Sequence, residues 1–202
     1  SKRELCNFFQ FKYNRPILIL YPGSRRQELN RHLPLLIKVS KKLKNLNPKI
    51  QFILGLAIDL DVDHFSIPDW IHIERENPQK ALECADIALV ASGTATLEAA
   101  VFGTPMIIIY KMATLSWWLS KLLVKTNYAG MVNIIAGKKI MPEYLQNKAN
   151  TKSITIKAFQ MLSNSETNDK LKSELLSVCQ KLQGEGASKK AAEHILSLAN
   201  LQ

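Results

Sequence analysis

Short runs of apolar residues recur along the first half of the chain, and each is too short to be a helix. They lie at residues 17–21, 50–54, 71–73, 87–90 and 106–110. Apolar runs of this length, interrupted here only by Gln51 and His72, are typical of strands buried on both faces of a parallel sheet. Segments with helical spacing separate these runs, among them residues 33–43, 78–84 and 96–102. The alternation predicts an α/β fold built on a doubly wound parallel sheet.

The first long helical pattern contains a proline. Leu33, Leu36, Ile37 and Leu43 recur at helical spacing, yet Pro34 falls among them. Proline has no backbone N–H and disrupts a helix interior. We therefore expect Pro34 to lie near the start of this helix, after a short turn.

The second half of the chain has a different pattern. From residue 114 onward it is mostly helical, with final helices predicted at 169–182 and 188–201. We expect one domain over residues 1–202, ending in a helical segment that begins at about residue 151.

Composition adds a strong basic excess to this picture. Hydrophobic residues make up 47% and charged residues 22%, which is typical of a globular chain. The chain has 27 Lys and Arg against 17 Asp and Glu, a formal charge of +10. This excess favours a nucleotide, a nucleic acid or an anionic membrane surface as partner, although a solvated basic surface explains it equally well.

The remaining composition bears on the compartment. The three cysteines form no CxxC pair, which argues for a reducing compartment and against zinc or disulfide frameworks. No leader peptide is visible at the start, and no apolar run is long enough to cross a bilayer. We expect a cytoplasmic protein that could still lie on a membrane.

The first candidate loop follows the first predicted strand. It contains Gly23, Ser24 and Arg25. Glycine permits close backbone approach, serine donates a hydrogen bond, and arginine offers a planar fork for phosphate oxygens. A turn with a helix cap and solvated arginines is the alternative interpretation of this loop alone.

The second candidate loop follows residues 87–90 and precedes a helix. Ser92, Gly93, Thr94 and Thr96 are small or hydroxylated. At a helix N-terminus they present unpaired N–H groups and a positive dipole end, which suits a diphosphate. Glu98 lies in the first turn, where it could bind ribose hydroxyls or act only on the helix dipole. Ligands of open α/β sheets bind beyond the carboxyl ends of the strands, where both loops stand.

The acidic residues and histidines do not form a recognisable metal-binding motif. Asp59, Asp61 and Asp63 do not fit a calcium loop, because His64 and Trp70 stand where glycine and glutamate are needed. The histidines show no metal-ligand spacing. We therefore expect no metal and no cofactor.

A segment rich in tryptophan and lysine follows the last predicted strand. Trp117, Trp118, Lys121 and Lys125 lie on a predicted amphipathic helix. Such a helix suits a lipid headgroup layer, so these residues are predicted to face a membrane. Burial of the tryptophans in a core is the alternative.

Several stretches taken together resemble lipid-A-disaccharide synthases. The first is Tyr21-Pro22-Gly23-Ser24-Arg25 with Glu28 and Pro34. The others are residues 91–98, 118–126, 133–137 with Pro142, Glu143, Leu145 and Gln146, and finally 186–188 with 191–192. The chain departs from the family pattern at Tyr21, where Leu is usual, and at Val132, where Pro is usual.

The resemblance implies the C-terminal half of an inverting GT-B-like glycosyltransferase with a Rossmann-like fold. Such an enzyme joins UDP-2,3-diacylglucosamine to 2,3-diacylglucosamine 1-phosphate through a β-1,6 linkage. It would work at the cytoplasmic face of the bacterial inner membrane, on its anionic surface. The N-terminal, acceptor-binding half and its general base have no counterpart in residues 1–202, so no turnover is expected from this chain alone.

The resemblance also assigns roles. Arg25 would stabilise the departing UDP, and Glu98 would bind ribose. The backbone from Arg75 to Asn77 would flank uracil. Phosphate contacts would come from Gly23, Ser24, Arg25, Ser92, Gly93 and Thr94, and Thr96 would also belong to the UDP-binding residues. Asn133, Glu143 and Gln146 would lie near the donor sugar and the cleft between the two halves.

Three alternatives remain open at this point. The chain could be another GT-B-type protein, such as a UDP-N-acetylglucosamine transferase or 2-epimerase. It could be a non-catalytic nucleotide-binding or membrane-docking module. A nucleic-acid binder is disfavoured because aromatic and basic residues do not interleave on a strand platform.

Overall fold

The structure is a computed structural model that describes residues 1–112, 128–182, 192–193 and 195–197. Its strands are β1 (Ile17–Tyr21), β2 (Gln51–Gly55), β3 (Ile71–Glu74), β4 (Ile87–Ala91), β5 (Met106–Tyr110) and β6 (Glu143–Leu145). Within the described residues these six form one sheet, in the order β3-β2-β1-β4-β5-β6. Every neighbouring pair is parallel. The predicted doubly wound parallel sheet is therefore confirmed.

The strand order reverses direction between β1 and β4. Strands β2 and β3 lie on one side of β1, whereas β4, β5 and β6 lie on the other. The loops that leave β1 and β4 therefore diverge and leave a crevice at the carboxyl edge of the sheet. Both candidate loops follow these two strands.

Helices cover both faces of the sheet. They are α1 (Lys2–Phe8), α2 (Arg26–Leu46), α3 (Pro78–Cys84), α4 (Ala95–Val101), α5 (Met131–Ala136), α6 (Thr151–Ser163) and α7 (Ser165–Leu182). Leu18 and Leu20 of β1 pack into one core with α2 and α6. Ile17 and Ile19 pack into a second core, together with residues of the remaining helices. Alternate residues of one strand thus build two opposite cores, which is why the run contains no polar position.

Most predicted elements agree with the structure to within one or two residues, and α3 has the predicted bounds. Two elements were not predicted: α1, which begins with a capping box between Ser1 and Glu4, and the short edge strand β6. Strand β6 has only three half-buried residues, so it carries no apolar run. The final predicted helix, 188–201, falls largely outside the described residues.

The expected position of Pro34 was wrong. Helix α2 runs over 21 residues, and Pro34 lies inside it rather than near its start. The helix continues because nine of its residues are buried, including Leu33 and Leu36 on either side of the proline. Burying each large apolar side chain contributes about 1.5–3 kcal/mol, so together they exceed the cost of about 3 kcal/mol for one internal proline.

Among the described helices, none combines the length and the apolar character that a bilayer crossing requires.

Replacing Pro34 by alanine is expected to stabilise the protein. Alanine restores the N–H that the helix lacks at this exposed position, which raises the free energy of unfolding by about 1–3 kcal/mol. Urea unfolding measures the change. Lys38→Ala, on the exposed side of the same helix, is the control and should shift stability by less than about 0.5 kcal/mol. Unchanged or lower stability of Pro34→Ala would contradict this account.

Candidate functional site

A cleft of about 420 Å³ opens at the carboxyl edge of the sheet, where the loops after β1 and β4 diverge. It brings together seven of the residues that the sequence predicted for nucleotide binding: Gly23, Ser24, Arg25, Ser92, Gly93, Thr94 and Glu98. The two loops are 66 or more residues apart in sequence order, yet they face one cavity. The sheet topology alone produces this juxtaposition.

The first loop is shaped by the carboxylate of Glu28. Gly23 has a φ of +108°, and a Cβ atom there would lie 2.3 Å from Oε2 of Glu28. The same oxygen accepts hydrogen bonds from the N–H groups of Ser24, at 3.2 Å, and Arg25, at 3.4 Å. Glu28 thus caps the N-terminus of α2. The Ser24 hydroxyl and the Arg25 guanidinium are among the groups of this loop that line the cleft side.

The second loop is arranged differently. The N–H of Ser92 donates to the Ile109 carbonyl at 2.9 Å and extends the sheet, and its hydroxyl donates to the Ala129 carbonyl at 2.7 Å. The first hydrogen bond of α4 comes from the N–H of Thr96, which donates to the Gly93 carbonyl at 3.1 Å. The N–H groups of Gly93, Thr94 and Ala95 precede that bond, and all three residues line the cleft. This is the arrangement that binds anions at helix N-termini.

Thr96 lies behind the second loop. Its side chain is fully buried, and its hydroxyl donates to the Gly93 carbonyl at 2.8 Å. Thr96 is not part of the cleft lining. Its hydroxyl thus fixes the carbonyl of Gly93, whose φ is +148°.

Tyr21 is a cleft residue to which the sequence assigned no role. Its hydroxyl donates a hydrogen bond to Oε2 of Glu98 at 3.0 Å. Burial raises the pKa of Tyr21 above its usual range, and the negative charge of Glu98 adds to this shift. Tyr21 therefore stays protonated and orients the Glu98 carboxylate within the cleft.

Arg75 acts through a neighbouring loop. Its Nη1 donates to the Leu60 carbonyl at 2.6 Å and to the Ala57 carbonyl at 3.5 Å. Ala57 lines the cleft, as does Pro78 of α3, whereas Arg75 does not. The Arg75 side chain therefore stabilises the segment 57–60, which forms part of the cleft lining, through Ala57, on the side of β2 and β3.

Asn133 and Glu143 hold the segment beside the second loop. Asn133 is fully buried; its Oδ1 accepts from the N–H groups of Ile140 and Met141 at 2.9 and 2.8 Å. Its Nδ2 donates to Glu143 Oε1 at 2.8 Å. Glu143 in turn accepts the N–H of Gly130 at 2.8 Å, at the start of α5. Both side chains bond backbone groups and each other, and neither lines the cleft.

Gln146 has a similar role at the end of β5. Its side-chain amide bonds both backbone groups of Met112, at 3.4 Å to the N–H and 3.3 Å to the carbonyl. It stands directly after β6 with a φ of +49°. It ties β6 to the chain that leaves β5, and it does not line the cleft.

The residues considered for metal binding and for membrane contact lie away from the cleft or outside the described residues. Within the described residues no three His, Cys, Asp or Glu side chains cluster as metal ligands. Asp61 instead accepts the N–H of Asp63 at 2.8 Å, as in a simple turn. The predicted membrane-facing residues, Trp117, Trp118, Lys121 and Lys125, all lie outside the described residues.

A second cavity, of about 390 Å³, opens at the opposite, amino end of the strands. Its lining mixes cations with carboxylates, and Lys2 pairs with Asp86 there. Open α/β sheets bind their ligands beyond the carboxyl ends of the strands, so the candidate site is the first cleft.

Asn133→Ala is expected to lower the free energy of unfolding by about 3 kcal/mol or more. The substitution leaves two buried N–H groups and the Glu143 carboxylate without an amide partner, at about 1–3 kcal/mol for each buried group. Chemical denaturation measures the loss. Asn147→Ala, at an exposed asparagine, is the matched control and should be nearly neutral. Equal effects of the two substitutions would refute this role of Asn133.

The chain is similar in sequence to known proteins over most of its length. A family model described as lipid-A-disaccharide synthetase matches residues 1–197. The lipid-A-disaccharide synthase of Coxiella burnetii is 37% identical over 81% of the chain and 44% of its own length. That of Syntrophus aciditrophicus is 35% identical over 98% of the chain and 53% of its own length. The chain therefore spans about half the length of these curated relatives.

Solved structures share the fold at low identity. A sucrose-phosphate synthase from Thermosynechococcus elongatus superposes with a TM-score of 0.63 at 13% identity, over 99% of this chain and 49% of that one. The spinosyn forosaminyltransferase superposes with a TM-score of 0.60, also at 13% identity, over 95% of this chain and 45% of that one. These likenesses show a Rossmann-like fold of the GT-B type. From the family match and the extent of the sequence identity, we conclude that the chain belongs to the lipid-A-disaccharide synthetase family.

Proposed function

We propose that this chain is the donor-binding half of a glycosyltransferase that forms the lipid A disaccharide. It would hold the UDP part of UDP-2,3-diacylglucosamine while the sugar passes to 2,3-diacylglucosamine 1-phosphate, with inversion and a β-1,6 linkage. The observation that carries this proposal is the cleft at the reversal of strand order, lined by both candidate loops, in a chain of this family. The chain spans about half of its relatives, so we assign the acceptor and the general base to a partner half.

The diphosphate would bind chiefly at the second loop. The N–H groups of Gly93, Thr94 and Ala95 lie at the start of α4 and line the cleft. Arg25 faces the same cavity from the first loop. Hydrogen bonds to a charged group contribute about 1.5–3 kcal/mol each. Donors fixed in advance cost little reorganisation when negative charge develops on the departing UDP, so they assist the transfer as well as the binding.

The nucleoside would lie along the other wall. Glu98, oriented by Tyr21, accepts from the ribose hydroxyls in this proposal. Uracil would lie against the backbone of 75–77, whose position is supported by Arg75 and by the start of α3. Asn133, Glu143 and Gln146 would shape the sugar side indirectly, because their polar atoms already bind backbone groups.

The electrostatics of the cleft do not require a metal ion in this proposal. Two carboxylates, Glu28 and Glu98, line the cavity, but each is bonded to a donor of its own chain. Arg25 and the start of α4 supply the positive potential, and the chain as a whole carries +10.

The acyl chains of both substrates favour a membrane surface as the place of action. A basic chain is attracted to anionic lipid by about 1 kcal/mol for each Lys or Arg near the surface. We therefore propose that the protein acts at the cytoplasmic face of the inner membrane, with Trp117, Trp118, Lys121 and Lys125 toward the lipid.

Arg25→Ala is expected to weaken UDP binding about 10- to 100-fold, the loss of one charge-assisted contact. The melting temperature should stay nearly unchanged, because Arg25 is exposed. Isothermal titration calorimetry measures the first quantity and thermal unfolding the second. Arg26→Ala is the matched control, since Arg26 is an exposed neighbour outside the cleft lining. Equal losses of UDP affinity in both variants would exclude a specific role for Arg25.

UDP is expected to shift the amide resonances of Gly93, Thr94 and Ala95 in an NMR titration. These N–H groups would gain a phosphate acceptor, whereas the N–H of Ser92 keeps its bond to Ile109 and should move less. Shifts confined to the amino edge of the sheet would place the nucleotide in the other cavity and overturn the proposed site.

UDP affinity is expected to be the same in EDTA and in millimolar Mg²⁺. The proposed phosphate contacts come from N–H groups and Arg25, so a metal chelator removes none of them. Calorimetric titrations in the two buffers test this. Loss of binding in EDTA would show that a cation completes the site.

A further inference from the structure

His32 is a buried histidine that links two parts of the site. It lies in α2 and is only 1% exposed. Its Nδ1 lies 3.0 Å from the Pro22 carbonyl oxygen. On the other side of the ring, the N–H of Lys111 donates to Nε2 at 3.1 Å. Both ring nitrogens are therefore bonded to backbone groups.

These two partners define the proton position. A backbone N–H can only donate, so Nε2 must accept and carries no proton. A carbonyl oxygen can only accept, so Nδ1 must carry the hydrogen. His32 is thus held as one neutral tautomer, with the hydrogen on Nδ1.

The two backbone partners belong to segments that no ladder joins. Pro22 opens the first cleft loop, and Lys111 directly follows β5. In the sheet β4 separates β1 from β5. The His32 ring bonds a backbone group on each side of this separation. Gln146 bonds the next residue, Met112, from the side of β6, so the end of β5 is fixed from two directions.

Protonation would break this link. A second hydrogen on Nε2 would face the N–H of Lys111, donor against donor. Burial lowers the pKa of His32; its bond to Pro22 and the charge of Glu28 oppose this shift, whereas Lys111 and Arg31 reinforce it. The folded state therefore binds fewer protons than the unfolded state. The stabilisation is complete above the unfolded value of about 6.5 and is lost as the pH falls toward the lower folded value.

We propose that His32 is a positioning residue of the donor site: its neutral ring fixes the loop 22–25 against the end of β5, and so holds Ser24 and Arg25 toward the ligand. The ligand part of this inference rests on the proposed function. The bridging part concerns the chain alone and is tested without nucleotide.

The first experiment measures the tautomer and the protonation of the His32 ring. Nitrogen-15 NMR of the imidazole should show a hydrogen on Nδ1 and titration below the ordinary histidine range. The amides of Gly23, Ser24 and Arg25 should shift in His32→Leu. They should shift less in His32→Asn, whose side-chain amide can still donate to Pro22, whereas the Lys111 amide should shift in both variants because neither side chain replaces Nε2. A hydrogen on Nε2, or unmoved loop amides in His32→Leu, would overturn the inference whether or not UDP binds.

The second experiment reads the site. At about pH 7.5, His32→Leu should weaken UDP binding about tenfold, and His32→Asn, which keeps only the bond to Pro22, should restore part of the affinity. As the pH falls from about 7.5 through the lowered folded-state pKa of His32, which the ring resonances locate, the wild type should lose affinity relative to His32→Asn, because only the wild type has a ring at this position that protonates. Comparing the variants at each pH cancels the titration of UDP itself.

His64→Leu is the control for the second experiment, because His64 is exposed in the loop after β2. It should leave UDP affinity and its pH dependence unchanged. A parallel pH dependence of wild type and His32→Asn would refute the positioning role. Failure of every variant, wild type included, to bind UDP would instead refute the proposed function, and the ring and loop resonances would still decide the bridging role.

Discussion

Backbone N–H groups at the carboxyl edge of the sheet must find acceptors, and much of the site follows from how they do so. Three helix starts are capped by carboxylates of the chain itself: Glu28 at α2, Glu74 at α3 and Glu143 at α5. Each carboxylate matches a positive dipole end. The start of α4 follows a different arrangement, in which the carboxylate of its first turn, Glu98, bonds the Tyr21 hydroxyl. The cleft lies at this helix, and Thr94 and Ala95 line it.

Residues that a family resemblance singles out need not touch a ligand. Asn133, Glu143 and Gln146 bind backbone groups and fix how the chain leaves β5 and where α5 begins. Ser92 bonds Ala129 and so ties the second loop to the same segment. A buried amide that satisfies several backbone groups is costly to replace, because each group left unpaired carries a desolvation penalty. Such residues shape a binding site as firmly as those that line it.

Sequence alone gives the sheet and the two loops because both depend on local pattern. The runs at β1 and β4 are apolar at every position, and glycines follow both, so the strand ends and the two candidate loops are visible without a structure. Pro34 shows the limit of propensity, since tertiary packing overrides it. The link from His32 to Lys111 spans 79 residues, and the bond from Tyr21 to Glu98 spans 77. Spacing rules do not predict such distant pairs. They also do not predict that Glu28 accepts the N–H groups of Ser24 and Arg25.

The Glu28 carboxylate fills the space beside Gly23 that a larger side chain at position 23 would need. The carboxylate of Glu28 lies where a side chain at position 23 would begin, so the two positions are sterically coupled. In a descendant chain, any larger residue at 23 requires that the glutamate withdraw or shorten, and α2 would then need a new cap. Substitutions at these two sites should therefore arise together during evolution, as a compensated pair and not as independent changes.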